Sequence, residues 1–413
     1  MRNNIPTARQ LEFQSWEVGI FVHFGIRTFY EGHKDFGKEY MTPKAFMPVG
    51  LDCEQWARVA AHAGARYMVL TAKHHDGFAN WPSDYTDFSV ASSDWQNGQG
   101  NVVQEFVSAC RKYDLKVGIY YSPADVNCPV YDDENAYDDY FINQITELLD
   151  GRYGEIDMLW FDGCGSENHS YNWTKIIKEI RAMQPNILIF NMGDPDYRWV
   201  GNEAGLAPSP CYNTVSEIDF SIKTQNKVKV SEHGVWLPAE CDLRMRDYNW
   251  FYSDYDAHTV KQADELYGIY HYSVGRGANM LINVGPDRHG LFPQEEIRSL
   301  TSFSEMVRNK FSTPLATIDD FVKTGNSWQC QLAKPVLLDC IVLQEVLEFG
   351  EAVERYRISV EPYTGGEYIT VYEGSNIGHK AIASFPKVRT ASVKIEVIRS
   401  RQESQLKAIQ LFG

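Results

Sequence analysis

Positive charge is scarce in this 413-residue chain: Lys and Arg number 39 against 55 Asp and Glu, for a formal net charge of −16. A surface that acidic repels phosphate backbones and anionic headgroups, so nucleic acid and membrane surfaces are excluded as partners and a neutral or cationic ligand is expected. No window of about 18 apolar residues occurs, so no segment reads as a membrane span. The opening stretch MRNNIPTARQLEFQSWEVGIF has no apolar core of a secretory leader, which makes the cytoplasm the expected location (a secreted protein whose leader had been removed would read the same way). The eight cysteines, Cys53, Cys110, Cys128, Cys164, Cys211, Cys241, Cys330 and Cys340, are scattered without a CxxC pair. They read as reduced and mostly buried, not as a disulfide frame or a zinc site. HxH and HExxH spacings are missing as well, as are internal repeats and low-complexity tracts.

What is present is a globular composition, with 44% hydrophobic and 23% charged residues. Aromatic residues are plentiful at 13%, including 24 Tyr and 10 Trp. They serve either a large aromatic core or the faces of sugar rings. The length exceeds one ordinary core and fits a large domain plus a smaller one. From the start to about residue 312, apolar strand-like runs alternate with amphipathic ones. Val18 to Phe24, Tyr67 to Thr71, Val117 to Tyr121, Met158 to Phe161 and Ile187 to Phe190 read as strands, and Val228 to Val230 and Met280 to Asn283 as two more. Cys53 to Ala63 (stopped by Gly64), Val102 to Tyr113, Tyr140 to Leu149 and Trp173 to Met183 read as helices. Repeated β-then-α units predict a parallel sheet closed into a (β/α)8-like TIM barrel, with long loops replacing helices between residues 191 and 257. After Ser312 the period becomes two. Val336–Leu343, Arg355–Val360, Tyr368–Tyr372 and Ala391–Val397 alternate apolar and polar residues between turns, which predicts a C-terminal antiparallel β-sandwich. The expected domains are 1–312 and 313–413.

Active sites of α/β barrels lie at the C-terminal ends of the strands. Polar residues stand repeatedly at those ends: His23, His74, His75, Tyr121, Asp162 and Asn191. Each alone would more often be a satisfied core histidine or a loop cap; their shared placement favours a site. Asp162 is held by the strand Leu159-Trp160-Phe161, and Gly163 lets the chain turn away. Trp160, two residues earlier, shares its side of the strand. An aromatic face beside a carboxylate suits a sugar pocket. Adjacent His74 and His75 are expected on opposite sides of the chain, which argues against one metal ion taking both. Three loop glutamates, Glu39, Glu203 and Glu240, lie among Trp, Gly and Pro residues where a merely solvated charge is not expected.

Four stretches then carry a resemblance: Gly19-Ile20-Phe21-Val22-His23-Phe24-Gly25, Ala72-Lys73-His74-His75-Asp76-Gly77-Phe78, Trp160-Phe161-Asp162-Gly163 and Asn279-Met280-Leu281-Ile282-Asn283-Val284-Gly285-Pro286. The chain resembles the α-L-fucosidases of glycoside hydrolase family 29. The resemblance implies a retaining mechanism through a fucosyl-enzyme ester, no metal or organic cofactor, and a fucosylated oligosaccharide as substrate. It makes Asp162 the nucleophile and puts His23, His74, His75 and Trp160 around fucose, with Glu39 and Tyr121 as further contacts. Tyr40, Trp81, Arg198, Trp236 and Glu240 complete the substrate-binding candidates. The segment Tyr197-Arg198-Trp199-Val200-Gly201-Asn202-Glu203 looks like the subfamily that prefers α-1,3 and α-1,4 linkages on Lewis-type glycans, and on that likeness Glu203 is the acid/base. Glu240 is its rival, because its segment aligns with the acid/base region of the broader-specificity subfamily. That subfamily carries a Trp-Glu pair and a later Ser-Trp-Gly-Tyr, where this chain reads Ala239-Glu240 and Asn249-Trp250-Phe251-Tyr252. The competing readings are a broad-specificity or α-1,2-active fucosidase, a metal-dependent barrel hydrolase using His74, His75 and Asp162, and a catalytically silent carbohydrate-binding protein.

Overall fold

The computed structural model describes residues 4–31, 40–222 and 227–413. Eight parallel strands, numbered β1 to β8 along the chain, form the first domain: Val18–Val22, Tyr67–Lys73, Lys116–Tyr121, Met158–Phe161, Leu188–Phe190, Arg198–Trp199, Ala239–Arg244 and Asn279–Asn283. Their spatial order is β5-β4-β3-β2-β1-β8-β7-β6. A single parallel bridge from Phe190 to Tyr197 brings β5 to the start of β6 and all but closes the ring. Helices α2 (Cys53–His62), α3 (Val102–Lys112), α4 (Glu134–Leu149) and α5 (Trp173–Met183) follow the first four strands. Each starts where a side-chain oxygen caps a free amide: Asp52 to Gln55, Asn101 to Gln104, Asp133 to Ala136 and Asn172 to Lys175. Gly64, at φ 87°, ends the reach of α2 as its sequence position predicted.

Alternation along the strands sorts the apolar side chains into two cores. Phe21, Tyr67, Val69, Tyr120, Met158, Trp160, Leu188 and Phe190 point into the barrel. Ile20, Val22, Met68, Leu70, Val117, Ile119, Leu159 and Phe161 pack outward against the helices. Helix α1 (Ala8–Trp16) belongs to the inner core: Phe13 stacks 4.4 Å from Tyr197, and Trp16 lies 5.6 Å from Tyr67. It precedes β1 and plugs the barrel at the end opposite the strand C-termini. Gly19 is needed on β1 because a Cβ there would lie 2.4 Å from the Tyr67 ring.

No α-helix occurs among the described residues between α5 and α6 (Ala263–Tyr272), in line with the irregular stretch expected there. The run at Val228 is not a barrel strand. Lys227–Lys229 instead pairs with Glu217–Asp219 in an exposed antiparallel hairpin. β6 and β7 supply the barrel's missing members. Two residues of β6 and the carboxylate-bearing run Ala239-Glu240-Cys241-Asp242 look polar, and they are strands only because neighbours pair with them.

Helix α7 (Gln294–Phe311) leads into the second domain. Seven antiparallel strands there wrap a separate core of Leu338, Ile341, Leu343, Ile358, Val393, Ile395 and Ile409. The long strands Ser327–Glu345 and Ala381–Ser400 carry register shifts after Gln331 and Leu338, which bend them over that core. The sandwich is tied to the barrel by an Arg276–Ala381 bridge and by Glu17, which pairs with His379 and Lys380. All eight cysteines are free thiols. No helix of the described residues is long and apolar enough to cross a membrane.

A register shift between Thr71 and Lys73 interrupts the alternation at the end of β2. Lys73 is thereby buried on the helix side, with its ammonium 3.0 Å from Asp125 and 2.9 Å from the Tyr121 hydroxyl. Both partners of this ion pair are essentially inaccessible to water. Lys73→Met should therefore cost about 3–5 kcal/mol of stability, since it strands a buried carboxylate. Adding Asp125→Asn should return part of that loss. Urea unfolding of the two variants measures both effects, and a single-variant loss under about 1 kcal/mol would contradict the account.

Candidate active site

The strand C-termini surround a narrow pocket. Its floor is the Trp160 ring, stacked 4.0 Å from Phe190 and 5.5 Å from Tyr120. Around it stand His23 beyond β1, His74 and His75 beyond β2, Asp162 beyond β4, Asn191 beyond β5, Trp199 on β6, Glu203 beyond it, Asp242 on β7, and Trp250. The bulge at Thr71 explains why both histidines reach it. It upsets the alternation, and a tight turn from His74 to Gly77 follows at once. The two rings sit 4.2 Å apart, on one side of the chain and not on opposite sides as adjacent positions had implied.

Asp162 is a quarter exposed at the pocket base. Its Oδ2 accepts from the Tyr120 hydroxyl at 3.0 Å and lies 3.4 Å from His75 Nε2, while Oδ1 accepts from the Cys164 amide at 2.8 Å. Burial works against its charge, but His75, the amide and the phenol together outweigh burial and hold the carboxyl below the ordinary Asp range. The donors are themselves fixed. Ser122 bonds His75 Nδ1 at 2.5 Å, and Tyr120 stacks on His74 with the rings 6° from parallel. Gly163 is obligatory, because a Cβ there would strike the Phe220 carbonyl. His23 is set by Asn283, 2.6 Å from its Nδ1. His74, His75 and Asp162 offer ligand atoms within 4.8 Å of one another. However, the Arg27 guanidinium stands 3.1 Å from His74 Nδ1 and opposes a second cation there.

The α-L-fucosidase family profile matches residues 30–310. Alpha-L-fucosidase 1 of Arabidopsis thaliana is 32% identical over 99% of this chain and 87% of its own length. A rice protein named as an alpha-L-fucosidase 1 is 33% identical, over 99% of this chain and 84% of its own. A glycoside hydrolase 29 family member from an unknown rumen bacterium superposes with a TM-score of 0.90 at 32% identity, covering all of this chain and 77% of that one. The chain belongs to the α-L-fucosidase family. It is a glycoside hydrolase.

The pocket at the strand C-termini gathers only part of the predicted set. His23, His74, His75, Trp160, Asp162 and Glu203 line it. Tyr121 does not. It is the neighbour of Tyr120 on β3, so the two face opposite sides, and its hydroxyl bonds Gln144 under the helices. Trp81 is buried in the outer core with its Nε1 on Glu147. Trp236 is buried on a two-residue strand away from the wall, its carbonyl accepting from Gln10. Arg198 is turned outward by the same alternation that turns Trp199 inward, and it bonds the carbonyls of Trp199 and Tyr212. Tyr40 is 86% exposed and off the wall. Glu39 lies outside the described residues. Tyr120, Trp199 and Asp242 are pocket residues that the sequence reading passed over. The signal for Tyr120 was strand parity with Trp160, its register partner, and Asp242 is two residues from Glu240 on one strand.

Parity on β7 places Glu240, Asp242 and Arg244 in a row from the barrel centre to the rim. Glu240 lies beneath Trp160 and off the pocket wall. It accepts from the Trp160 indole at 2.8 Å and from the Tyr67 hydroxyl at 2.6 Å. Burial pushes its carboxyl up to about 7 despite those two bonds. Asp242 accepts from the Trp199 indole at 2.7 Å. Burial first, then the charge of Glu203, raise it far above the usual Asp value. Arg244 stands 3.9 Å from Glu203 and packs 5.5 Å from the Trp250 ring.

Because its folded pKa exceeds the ordinary Glu value near 4.5, Glu240 binds its proton more tightly in the folded enzyme than in the unfolded chain. The resulting stability is complete below about pH 4.5 and is lost as pH rises through about 7. Glu240→Gln should flatten that window by about 3 kcal/mol, from 1.36 kcal/mol per unit. Denaturant midpoints from pH 4.5 to 8 measure the slope. A variant with the parent's slope would show that Glu240 is not the group responsible.

Proposed function

We propose that this α-L-fucosidase is a retaining exo-enzyme with Asp162 as nucleophile and Glu203 as acid/base, acting on α-1,3- and α-1,4-linked fucose of Lewis-type oligosaccharides and glycoconjugates. The observation that carries the mechanism is the carboxylate of Asp162 at the pocket base. Three donors favour its ionised form, and a second, accessible carboxyl shares the cavity. Glu240 is the poorer candidate for the acid, since Trp160 stands between it and the cavity and both its oxygens are occupied.

In the first step Asp162 attacks the anomeric carbon while Glu203 gives its proton to the departing glycosidic oxygen; the C–O bond breaks and a fucosyl ester forms. In the second step Glu203 takes a proton from water, which attacks the same carbon and releases Asp162 and fucose. Positive charge on the ring oxygen in each transition state lies against the Asp162 carboxylate. His23, His74 and His75 bond the fucose hydroxyls, and Trp160 packs on its C–H face. Arg244 beside Glu203 favours a carboxylate there. Buried Asp242, raised by burial and then by the charge of Glu203, is the member of the pair that keeps its proton.

The linkage preference rests on the likeness of the 197–203 segment to the Lewis-specific subfamily. A second cavity of about 390 Å³ adds to it. That cavity shares Asn191 and Phe220 with the pocket and offers Trp173, Tyr171, His169 and Glu167 to another branch of the glycan.

Two substrates test the catalytic pair. On an aryl fucoside with a good leaving group, Asp162→Gly should lose turnover by orders of magnitude and regain part of it with azide, which fills the vacated space. Glu203→Gln should retain the first step on that substrate yet lose about 10²–10⁴-fold on a natural glycan, whose leaving group needs the proton. If Glu240→Gln gives that split and Glu203→Gln does not, the acid is Glu240.

Initial rates on Lewis a and Lewis x trisaccharides should exceed the rate on 2′-fucosyllactose, because a branching galactose supplies binding energy used in the transition state. Equal or faster cleavage of the α-1,2 linkage would instead make the enzyme broad in specificity.

A further inference from the structure

A cleft of about 670 Å³ runs between the barrel and the sandwich. One wall is the outer face of α6, carrying Tyr267, Gly268, His271 and Tyr272; the other carries Tyr372 and Phe385 from the sandwich. Gly275 and Arg276, which also line it, directly precede β8 and so mark the N-terminal end of that strand. The reaction pocket opens at the opposite ends, a strand's length or about 16 Å away.

Three features distinguish this cleft from a packing gap. First, its aromatic faces are held ready. Tyr272 is 50% exposed, and the Arg276 guanidinium, itself anchored on the Ala207 carbonyl, packs 4.5 Å from its ring centroid. Tyr372 is stacked on buried Tyr356. Second, the cleft's other cation is compensated: Lys310 is paired with Asp339. The remaining polar side chains include the hydroxyls of Ser209, Ser375 and Ser384, the His271 imidazole, and the Asn376 amide, which is held by the Cys211 backbone. Flat aromatic faces edged by neutral hydrogen-bonding groups match a sugar ring, which is apolar on its C–H face and polar at its rim. Third, Gly268 sits in the interior of α6, where glycine is among the least favourable residues. Among the described residues, nothing beyond its chain neighbours and the helix's own backbone comes within 4 Å of the Cβ it lacks. The missing side chain therefore serves no internal contact and leaves helix backbone open to the cleft.

We propose that this cleft is a second carbohydrate site, separate from the reaction pocket, that binds a neutral oligosaccharide segment of hexose and N-acetylhexosamine. The choice of a glycan segment rests on the reading of the enzyme as one that works on branched oligosaccharides. A sugar ring lies against Tyr272 and over Gly268, and its hydroxyls reach Ser209, Ser375 and Ser384. Its occupant needs no fucose, so the site would hold the enzyme on the glycan from which fucose is being removed.

The test uses the full chain and a fucose-free tetrasaccharide of galactose, N-acetylglucosamine and glucose, followed by calorimetry and saturation-transfer NMR. A fucose-configured iminosugar fills the reaction pocket throughout. Binding should persist under that block. Gly268→Leu and Tyr272→Ala should each weaken it at least ten-fold, leave aryl-fucoside hydrolysis within two-fold of the parent, and not lower Tm. Absence of binding, displacement by the iminosugar, parent affinity in both variants, or binding of acidic sugars alone would each overturn the proposal. Failure of the catalytic reading would show separately, as loss of the expected split between aryl and natural substrates.

Discussion

The indole N–H of Trp160 donating to the buried carboxyl of Glu240 is the contact on which the site depends. Tyr67 supplies the second bond to the carboxyl, and Gly19 makes room for the Tyr67 ring. Trp160 is thereby fixed as a floor, with Phe190 and Tyr120 stacked against it. Tyr120 in turn reaches Asp162. A chain of aromatic contacts thus runs from the plugged end of the barrel to the carboxylate at its mouth. Each member has few rotamers left, which is what pre-organised electrostatics require.

The same fold drives neighbouring carboxyls in opposite directions. Asp162 sits past its strand end, where an amide, a histidine and a phenol converge, so it is held below its ordinary range. Glu240 and Asp242 sit within a strand, where each has at most two neutral donors and no cation in contact, so burial prevails and raises both. Position relative to the strand end decides which effect wins. Ionised and neutral carboxyls can therefore coexist within one barrel at one pH.

The two regions that accept ligand in this reading differ in how they are built. The reaction pocket is lined by side chains locked through hydrogen bonds to deeper residues. The interdomain cleft is lined by tyrosines on a helix and a sheet, beside a seam where Val342, Ile382 and Phe412 of the sandwich join the barrel's outer core. The first arrangement suits chemistry, and the second suits reversible contact with a larger and more variable object.

Much of this was written in the sequence. The β-then-α rhythm, the capping residues and the change to period two after Ser312 determined a barrel followed by an antiparallel domain, because local periodicity decides which faces can be buried. The strand-end motifs placed His23, His74, His75, Trp160 and Asp162 at the mouth for the same reason. Where the reading failed, the deciding information was non-local. β6 and β7 look like polar loops and are strands only through their neighbours, while Val228 looks like a strand and finds no barrel neighbour. Tyr121 was chosen over Tyr120 because two adjacent aromatics carry no mark of which faces inward until the register with Trp160 is set. The bulge at Thr71, which brings both histidines to one side, arises from pairing with β3 and not from any residue of β2 alone. Arg198, Trp81 and Trp236 turned away, and Asp242 turned in, for the same cause: composition says what chemistry a chain can carry, and the side of the strand on which it appears is settled only when the sheet closes.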